Sequence, residues 1–350
     1  MAKTYPKIIS LGFAVPLHRY TQEEIFKRLS YPPGYRRMFN NGMKYRYFWL
    51  DLDSLPGLSF QEQQEEYQKG AIALSREVVV QCLDGRPIDG IGCLTFCSCT
   101  GIMPGPTIPH YLAKTLRFAP DTYFCNIGSM GCEAGYPGLK RAMDFTVATG
   151  KQSMVITCEL SSCACYPEPG GIPDPTNDFE IMRSNAIFAD AASCALVGYD
   201  HDWRHPDIID SESYTDTDYI NELGFIWQQG RLRVRLSRRV PDLAVKVLEP
   251  AVEALLKRNN LKIEEVSWFI IHAAGNLVID NIRDTLGIPE EKTQLSRKTL
   301  LDFGNTSSTS IGITGKSLMS QDIRRGDYAL ILSIGPGMTG GSVLLKFGSS

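Results

Sequence analysis

The chain has 350 residues, 43% of them hydrophobic, and a formal net charge of −3. That is enough apolar material for one large or two closely packed domains. The slightly acidic balance, with no long basic run, argues against a nucleic-acid partner. Residues Met1 to Pro6 lack the apolar region of a signal peptide, and no apolar run approaches the roughly 20 residues of a membrane span. A cytoplasmic protein without a membrane segment is expected.

In chain order, Ile88–Cys97 reads as a buried strand and Ile108–Phe118 as a helix. Thr122–Ile127 is a predicted strand, Cys132–Thr149 a helix and Ser153–Glu159 a strand. A segment rich in Pro and Gly, Pro167–Thr176, precedes a strand at Ala189–Gly198. A helix at Pro241–Arg258, a strand at Trp268–His272 and helices at Gly275–Leu286 and Ser307–Ile323 follow. Strands at Tyr328–Ile334 and Ser342–Phe347 close the chain. Such alternation predicts α/β layers around buried sheets. The order repeats: the elements around Gly131-Cys132 correspond to those around Gly304–Ser307, which divides the chain into halves 1–200 and 201–350.

All ten cysteines lie between Cys82 and Cys194. A disulfide framework belongs to small secreted chains, and no paired CxxC motifs are present, so most read as small buried hydrophobes. No metal site is expected; His201 and His205 read as a polar surface loop. Cys132 differs. In Gly128-Ser129-Met130-Gly131-Cys132-Glu133-Ala134-Gly135 it stands at a strand-to-helix turn among small residues. A helix N-terminus there would favour a thiolate. His272 ends a predicted strand and Asn305 lies in the turn Gly304-Asn305-Thr306-Ser307-Ser308, at matching ends of the second half. Alone, His272 reads as a packed strand-end residue and Asn305 as a turn or cap residue. Together the three form a nucleophilic set. Cys132 would take an acyl group from a thioester, with His272 and the neutral Asn305 amide stabilising developing oxyanions.

Met130–Gly135, His272, Gly304–Ser308 and Gly335-Pro336-Gly337-Met338-Thr339 resemble, in order and interval, four signature regions of type III polyketide synthases, the chalcone synthase-like condensing enzymes. Similarity continues through Asn41–Phe48, Cys99-Thr100-Gly101, Phe188–Ala192 and Leu236–Pro241. The resemblance implies a thiolase-like fold, an internally duplicated five-layered αβαβα subunit, and a homodimer. It implies an acyltransferase that loads an acyl-CoA starter on Cys132. Malonyl-CoA would lose carbon dioxide with help from His272 and Asn305, and Claisen condensation and cyclisation would follow without a cofactor. Phe188 matches an aromatic gatekeeper, Ser307 and Gly335-Pro336-Gly337 the cavity wall, and Met103 a residue crossing the dimer interface. Arg36 and Arg37 fall where basic residues meet the CoA phosphates.

Several positions depart from the family pattern. Ala273-Ala274-Gly275 replaces Pro-Gly-Gly, Ala189-Asp190-Ala191 replaces Gly-Asp-Gly, and Glu133 stands where an apolar residue is common. Val234 occupies a second gatekeeper position that usually holds an aromatic ring, and Ala164 also lines the aligned pocket, so a widened acyl pocket is expected. The alternative reading is a non-iterative ketoacyl synthase III-like enzyme joining two acyl chains, with an acyl-carrier protein as donor.

Overall fold

The computed structural model describes residues 4–102, 105–164, 175–228 and 230–348. The elements before residue 200 are β1 (Lys7–Ala14), β2 (His18–Tyr20), α1 (Gln22–Arg28), α2 (Arg36–Phe39), β3 (Arg46–Phe48), α3 (Phe60–Leu83), β4 (Ile91–Ser98), α4 (Ile108–Leu116), β5 (Tyr123–Gly128), α5 (Gly135–Thr149), β6 (Gln152–Glu159), α6 (Pro175–Ile187) and β7 (Ala191–Gly198). After it come β8 (Asp207–Thr215), β9 (Leu223–Gln228), β10 (Arg231–Leu236), α7 (Val240–Arg258), β11 (Trp268–Ile271), α8 (Asn276–Leu286), α9 (Gln294–Phe303), α10 (Ser310–Leu318), β12 (Tyr328–Gly335) and β13 (Thr339–Lys346).

Nine strands run in the order β11-β12-β13-β8-β1-β7-β6-β4-β5. β8 and β1 meet through one residue pair, Lys7 with Asp207, so this is the seam between two strand sets. The sets share one pairing logic. β4 is parallel to β6, and β6–β7 and β7–β1 are antiparallel; β11 is parallel to β12, and β12–β13 and β13–β8 are antiparallel. The duplication read from the sequence is therefore present in the strand pairing.

Burial sorts the helices into layers. Every residue of β4 is buried, as its unbroken apolar run requires of a strand covered on both faces. α3 packs one outer face with Ala71, Leu74 and Val78 against Ile9, Leu94 and Ile156. α5 and α10 fill the middle: Leu139, Ala142, Ile311 and Leu318 meet Val155 and Val197 of one set and Ile270, Ile331 and Val343 of the other. α7 and α8 cover the far face through Leu248, Val252, Ile279 and Ile282. The result is an αβαβα stack. Among the described residues no helix is long and apolar enough to cross a membrane.

Several boundaries differ from expectation. The strand expected from Ile88, β4, begins at Ile91, after a 3-10 turn at Ile88–Gly90. The helix expected to start at Cys132 starts at Gly135, after a 3-10 turn over Gly131–Glu133. The helix expected over Ser307–Ile323 is a 3-10 turn at Ser307–Thr309 followed by α10, which ends at Leu318.

The seam is held by a buried ion pair. Lys7 Nζ lies 3.1 Å from Asp207 Oδ2 and donates to the His205 carbonyl at 3.1 Å, with both side chains at most 2% exposed. Replacing Lys7 with Ala leaves a buried carboxylate short of its countercharge. We expect a loss of about 3–5 kcal/mol of unfolding free energy. Denaturant unfolding checks this, and Lys7→Met with Asp207→Leu should recover most of the loss.

Candidate active site

Cys132 is placed by the turn between β5 and α5. Gly131 has φ +59°, and a Cβ there would lie 2.4 Å from Pro336 Cδ, so the β12–β13 turn packs directly on the residue before the nucleophile. Gly335 is as tight, since its Cβ would meet Glu133 Cβ at 2.6 Å and the Met130 carbonyl at 2.9 Å. The Ser307 hydroxyl donates to Cys132 Sγ at 3.3 Å.

His272 follows β11 and is fixed by its N–H donating to the Leu332 carbonyl at 2.8 Å. Its Nδ1 lies 2.7 Å from Ser310 Oγ, at the first residue of α10; the same Oγ accepts the Ala273 N–H at 3.3 Å. Asn305 pairs its backbone with the Phe188 segment: its N–H donates to Ile187 O at 3.0 Å, and Ala189 N–H donates to its carbonyl at 2.9 Å. Its Nδ2 donates to Ala274 O at 3.1 Å, and its Oδ1 accepts the Ser307 N–H at 2.9 Å. Arg46 supports this pair from below, with Nη1 donating to the carbonyls of Asn185 and Phe188 at 2.6 and 2.9 Å.

Two cavities meet at Cys132. An outer one of about 350 Å³ is lined by Cys132, His272, Asn305, Phe188 and Leu223, with Asn41, Arg183, Ser237 and Asn276 among the residues around it. An inner one of about 50 Å³ is lined by Cys132, Cys99, Ser307, Phe188, Leu223 and Pro336, and further by Ala164, Phe225 and Val234. Cys132, Phe188 and Leu223 belong to both. A reactant can thus reach the trio from one side and leave a chain on the other.

Burial governs the charges here. It pushes the Cys132 thiol up to about 12, against the Ser307 hydrogen bond, and holds His272 down to about 4. The thiolate expected from a helix N-terminus is therefore not supplied by the helix. α5 begins three residues further on, and a dipole acts within the first turn. Each group alone is neutral, and two buried charges of opposite sign cost least when they arise together as a pair.

The comparisons with known proteins fit this geometry. Residues 54–201 match the family described as chalcone and stilbene synthases, N-terminal domain, and residues 256–347 that described as 3-oxoacyl-[acyl-carrier-protein] synthase III C terminal. Over nearly its whole length the chain is similar to type III polyketide synthases. A Bacillus subtilis (strain 168) protein whose name places it provisionally among the chalcone synthases is 29% identical, over 97% of this chain and 98% of its own. The 1,3,6,8-tetrahydroxynaphthalene synthase of Streptomyces griseus is 27% identical over 87% of this chain and 80% of its own. The crystal structure of PKS-I from the brown alga Ectocarpus siliculosus superposes with a TM-score of 0.88 at 23% identity, covering 99% of each chain. The synthase is accordingly a thiolase-fold condensing enzyme of the acyltransferase type.

Not every residue anticipated for the site of this synthase reaches it. Cys132, His272, Asn305, Phe188, Ser307, Ala164, Val234 and Pro336 line one or both cavities. Gly335 holds the nucleophile turn instead, and Gly337 (φ +87°) shapes the β12–β13 turn without lining either cavity. Arg36 and Arg37 are exposed on α2 and line neither; Arg36 is paired with Glu23 at 2.6 Å. Met103 lies outside the described residues. The expected widening at Val234 meets a neighbouring ring. Val234 is cross-strand to Phe225, which supplies a ring to the same wall.

Other side chains at the site were not anticipated. Glu159 ends β6 fully buried and accepts from Cys99 N–H (3.0 Å), Thr100 Oγ1 (3.1 Å) and Ser308 Oγ (2.6 Å). Its signal was a carboxylate at the end of an otherwise uncharged strand. Ser310 carried none.

Glu133 is 1% exposed, and among the described residues its Oε2 has no hydrogen-bond partner. Burial pushes its carboxyl up to about 8. The folded state thus holds a proton that the unfolded chain releases near pH 4.5. The stability this gives is complete below that pH and lost as pH rises through about 8, on the order of 5 kcal/mol. Between pH 6 and pH 9, thermal unfolding of Glu133→Gln should fall less steeply than that of the unmodified protein. Parallel curves would contradict this.

Proposed function

We propose that this synthase loads an acyl group from acyl-CoA onto Cys132 and extends it with malonyl-CoA by decarboxylative Claisen condensation, followed by cyclisation. The observation that carries the reading is the meeting of two cavities at Cys132, with His272 and Asn305 on the outer one. Nδ1 of His272 is engaged by Ser310, which leaves Nε2 for chemistry. In loading, Nε2 takes the Cys132 proton, Sγ bonds to the thioester carbonyl carbon, and the bond to the CoA sulfur breaks with departure of CoA thiolate. The imidazolium keeps its Nε2–H. Malonyl-CoA then loses carbon dioxide: the electron pair of the broken C–C bond moves to the thioester oxygen, where His272 Nε2–H and an Asn305 amide N–H receive the enolate charge. The enolate carbon attacks the acyl-Cys132 carbonyl, the C–S bond breaks, and Cys132 leaves as thiolate beside the imidazolium.

Ser307, Phe188, Val234, Ala164 and Pro336 bound the growing chain during these steps. The steps call for no cofactor beyond the two thioesters, and the enzyme is assigned to the cytoplasm. A homodimer is proposed as well. β5 ends the nine-stranded sheet with Tyr123 and Asn126 exposed, and a free edge strand is a template for pairing with a second copy.

The match of residues 256–347 favours one second reading: a single condensation of two acyl chains, with an acyl-carrier protein as donor. Intact-mass measurement after incubation with acetyl-, hexanoyl- and decanoyl-CoA, then product analysis with malonyl-CoA, tests both. One acyl group per chain and a product extended by several two-carbon units are expected. Extension by one unit selects the second reading, and neither adduct nor carbon dioxide release rejects both.

A further inference from the structure

Beside the outer cavity stands a pair of like charges that the reaction leaves without a task. Arg183 of α6 is half-buried and lines this cavity, and its Nη1 donates to the Leu236 carbonyl at the end of β10. Arg238, two residues past Leu236, is exposed and lies over the Phe179 ring, 5.8 Å from its centroid. Ser237 between them lines the same cavity. Among the described residues neither arginine forms an ion pair, whereas Arg36 is held by Glu23 and Arg239 by Glu222 at 2.6 and 2.5 Å. Burial first, then repulsion by Arg238, keeps Arg183 below the ordinary arginine range; Glu180, one turn earlier, only partly opposes this. Two guanidiniums held near each other beside a cavity gain most from a shared anion, and the planar fork of arginine suits phosphate oxygens.

We propose that Arg183 and Arg238 grip the phosphate of the phosphopantetheine-type carrier whose thioester enters this cavity. This rests on the thioester reading given under Proposed function. The phosphate can belong to CoA or to a carrier-protein arm, and the anion chemistry is the same in both.

The test measures kcat/KM for Cys132 acylation by three donors of one acyl group: hexanoyl-CoA, a hexanoyl acyl-carrier-protein thioester and phosphate-free hexanoyl-pantetheine. Arg183→Gln and Arg238→Gln are each expected to lose about tenfold or more with a phosphorylated donor, with at most a twofold change with hexanoyl-pantetheine. Arg238 is exposed, so its variant separates loss of the phosphate contact from damage to the fold, and Arg238→Lys should recover part of the loss. Added salt should lower hexanoyl-CoA efficiency in the unmodified protein far more than in the double variant. A loss confined to hexanoyl-CoA assigns the pair to the nucleotide phosphates; a loss shared with the carrier-protein donor assigns it to the pantetheine phosphate. Efficiency unchanged with both phosphorylated donors, or an equal loss with hexanoyl-pantetheine, overturns the proposal. Acylation by hexanoyl-pantetheine upholds the reading of the reaction whichever way the arginine result falls.

Discussion

His272→Ala and Asn305→Ala are each expected to slow carbon dioxide release from malonyl-CoA by about 10²–10³-fold, the usual cost of removing one oxyanion donor. The two differ elsewhere. In the proposed mechanism His272 is also the proton acceptor for a thiol that burial pushes up to about 12. His272→Ala should therefore slow alkylation of Cys132 by iodoacetamide at pH 7 by tenfold or more, while Asn305→Ala should change it little. Because Asn305 Oδ1 accepts the Ser307 N–H, Asn305→Asp is the sharper variant. It keeps that acceptor and loses the amide donor. Release of carbon dioxide at the unmodified rate by either alanine variant would remove that residue from the oxyanion site.

Cys132→Ala is expected to abolish product formation and leave carbon dioxide release from malonyl-CoA within about tenfold of the original. In the proposed mechanism the enolate is stabilised by His272 and Asn305, which line the outer cavity, whereas Cys132 carries only the acyl group. A variant that loses both activities together would place Cys132 in the decarboxylation step, contrary to this division of labour.

What the sequence disclosed follows from how each element is buried. β4, β6, β12 and β13 are covered on both faces, so they read as largely apolar runs without period-two alternation, and their repetition betrays the duplicated plan. Cys132, His272 and Asn305 stood out because each sits at the end of such a run or in a Gly turn. α3 was not legible as a helix. Its buried face includes Gln63, Gly70 and Ser75, which interrupt the apolar stripe, although the capping box from Ser59 to Glu62 marks its start. α9 hides for the same reason, burying Ser296 and Thr299. The acyl wall depended on strand register: that Phe225 faces Val234 follows from the β9–β10 hairpin, not from either residue alone. The state of the Cys132 thiol was misjudged because a three-residue turn separates it from α5 and because burial, which no local pattern shows, sets its charge.

The mechanism turns on which sulfur takes the acyl group, and Cys99 is a real competitor, since it lines the inner cavity beside Cys132. Single-turnover loading with isotopically labelled hexanoyl-CoA, followed by proteolysis and peptide mass mapping, decides between them. One label per chain, on the peptide containing Cys132 and absent from Cys132→Ala, is the predicted result. Label on Cys99, or stoichiometric loading that survives Cys132→Ala, would contradict it.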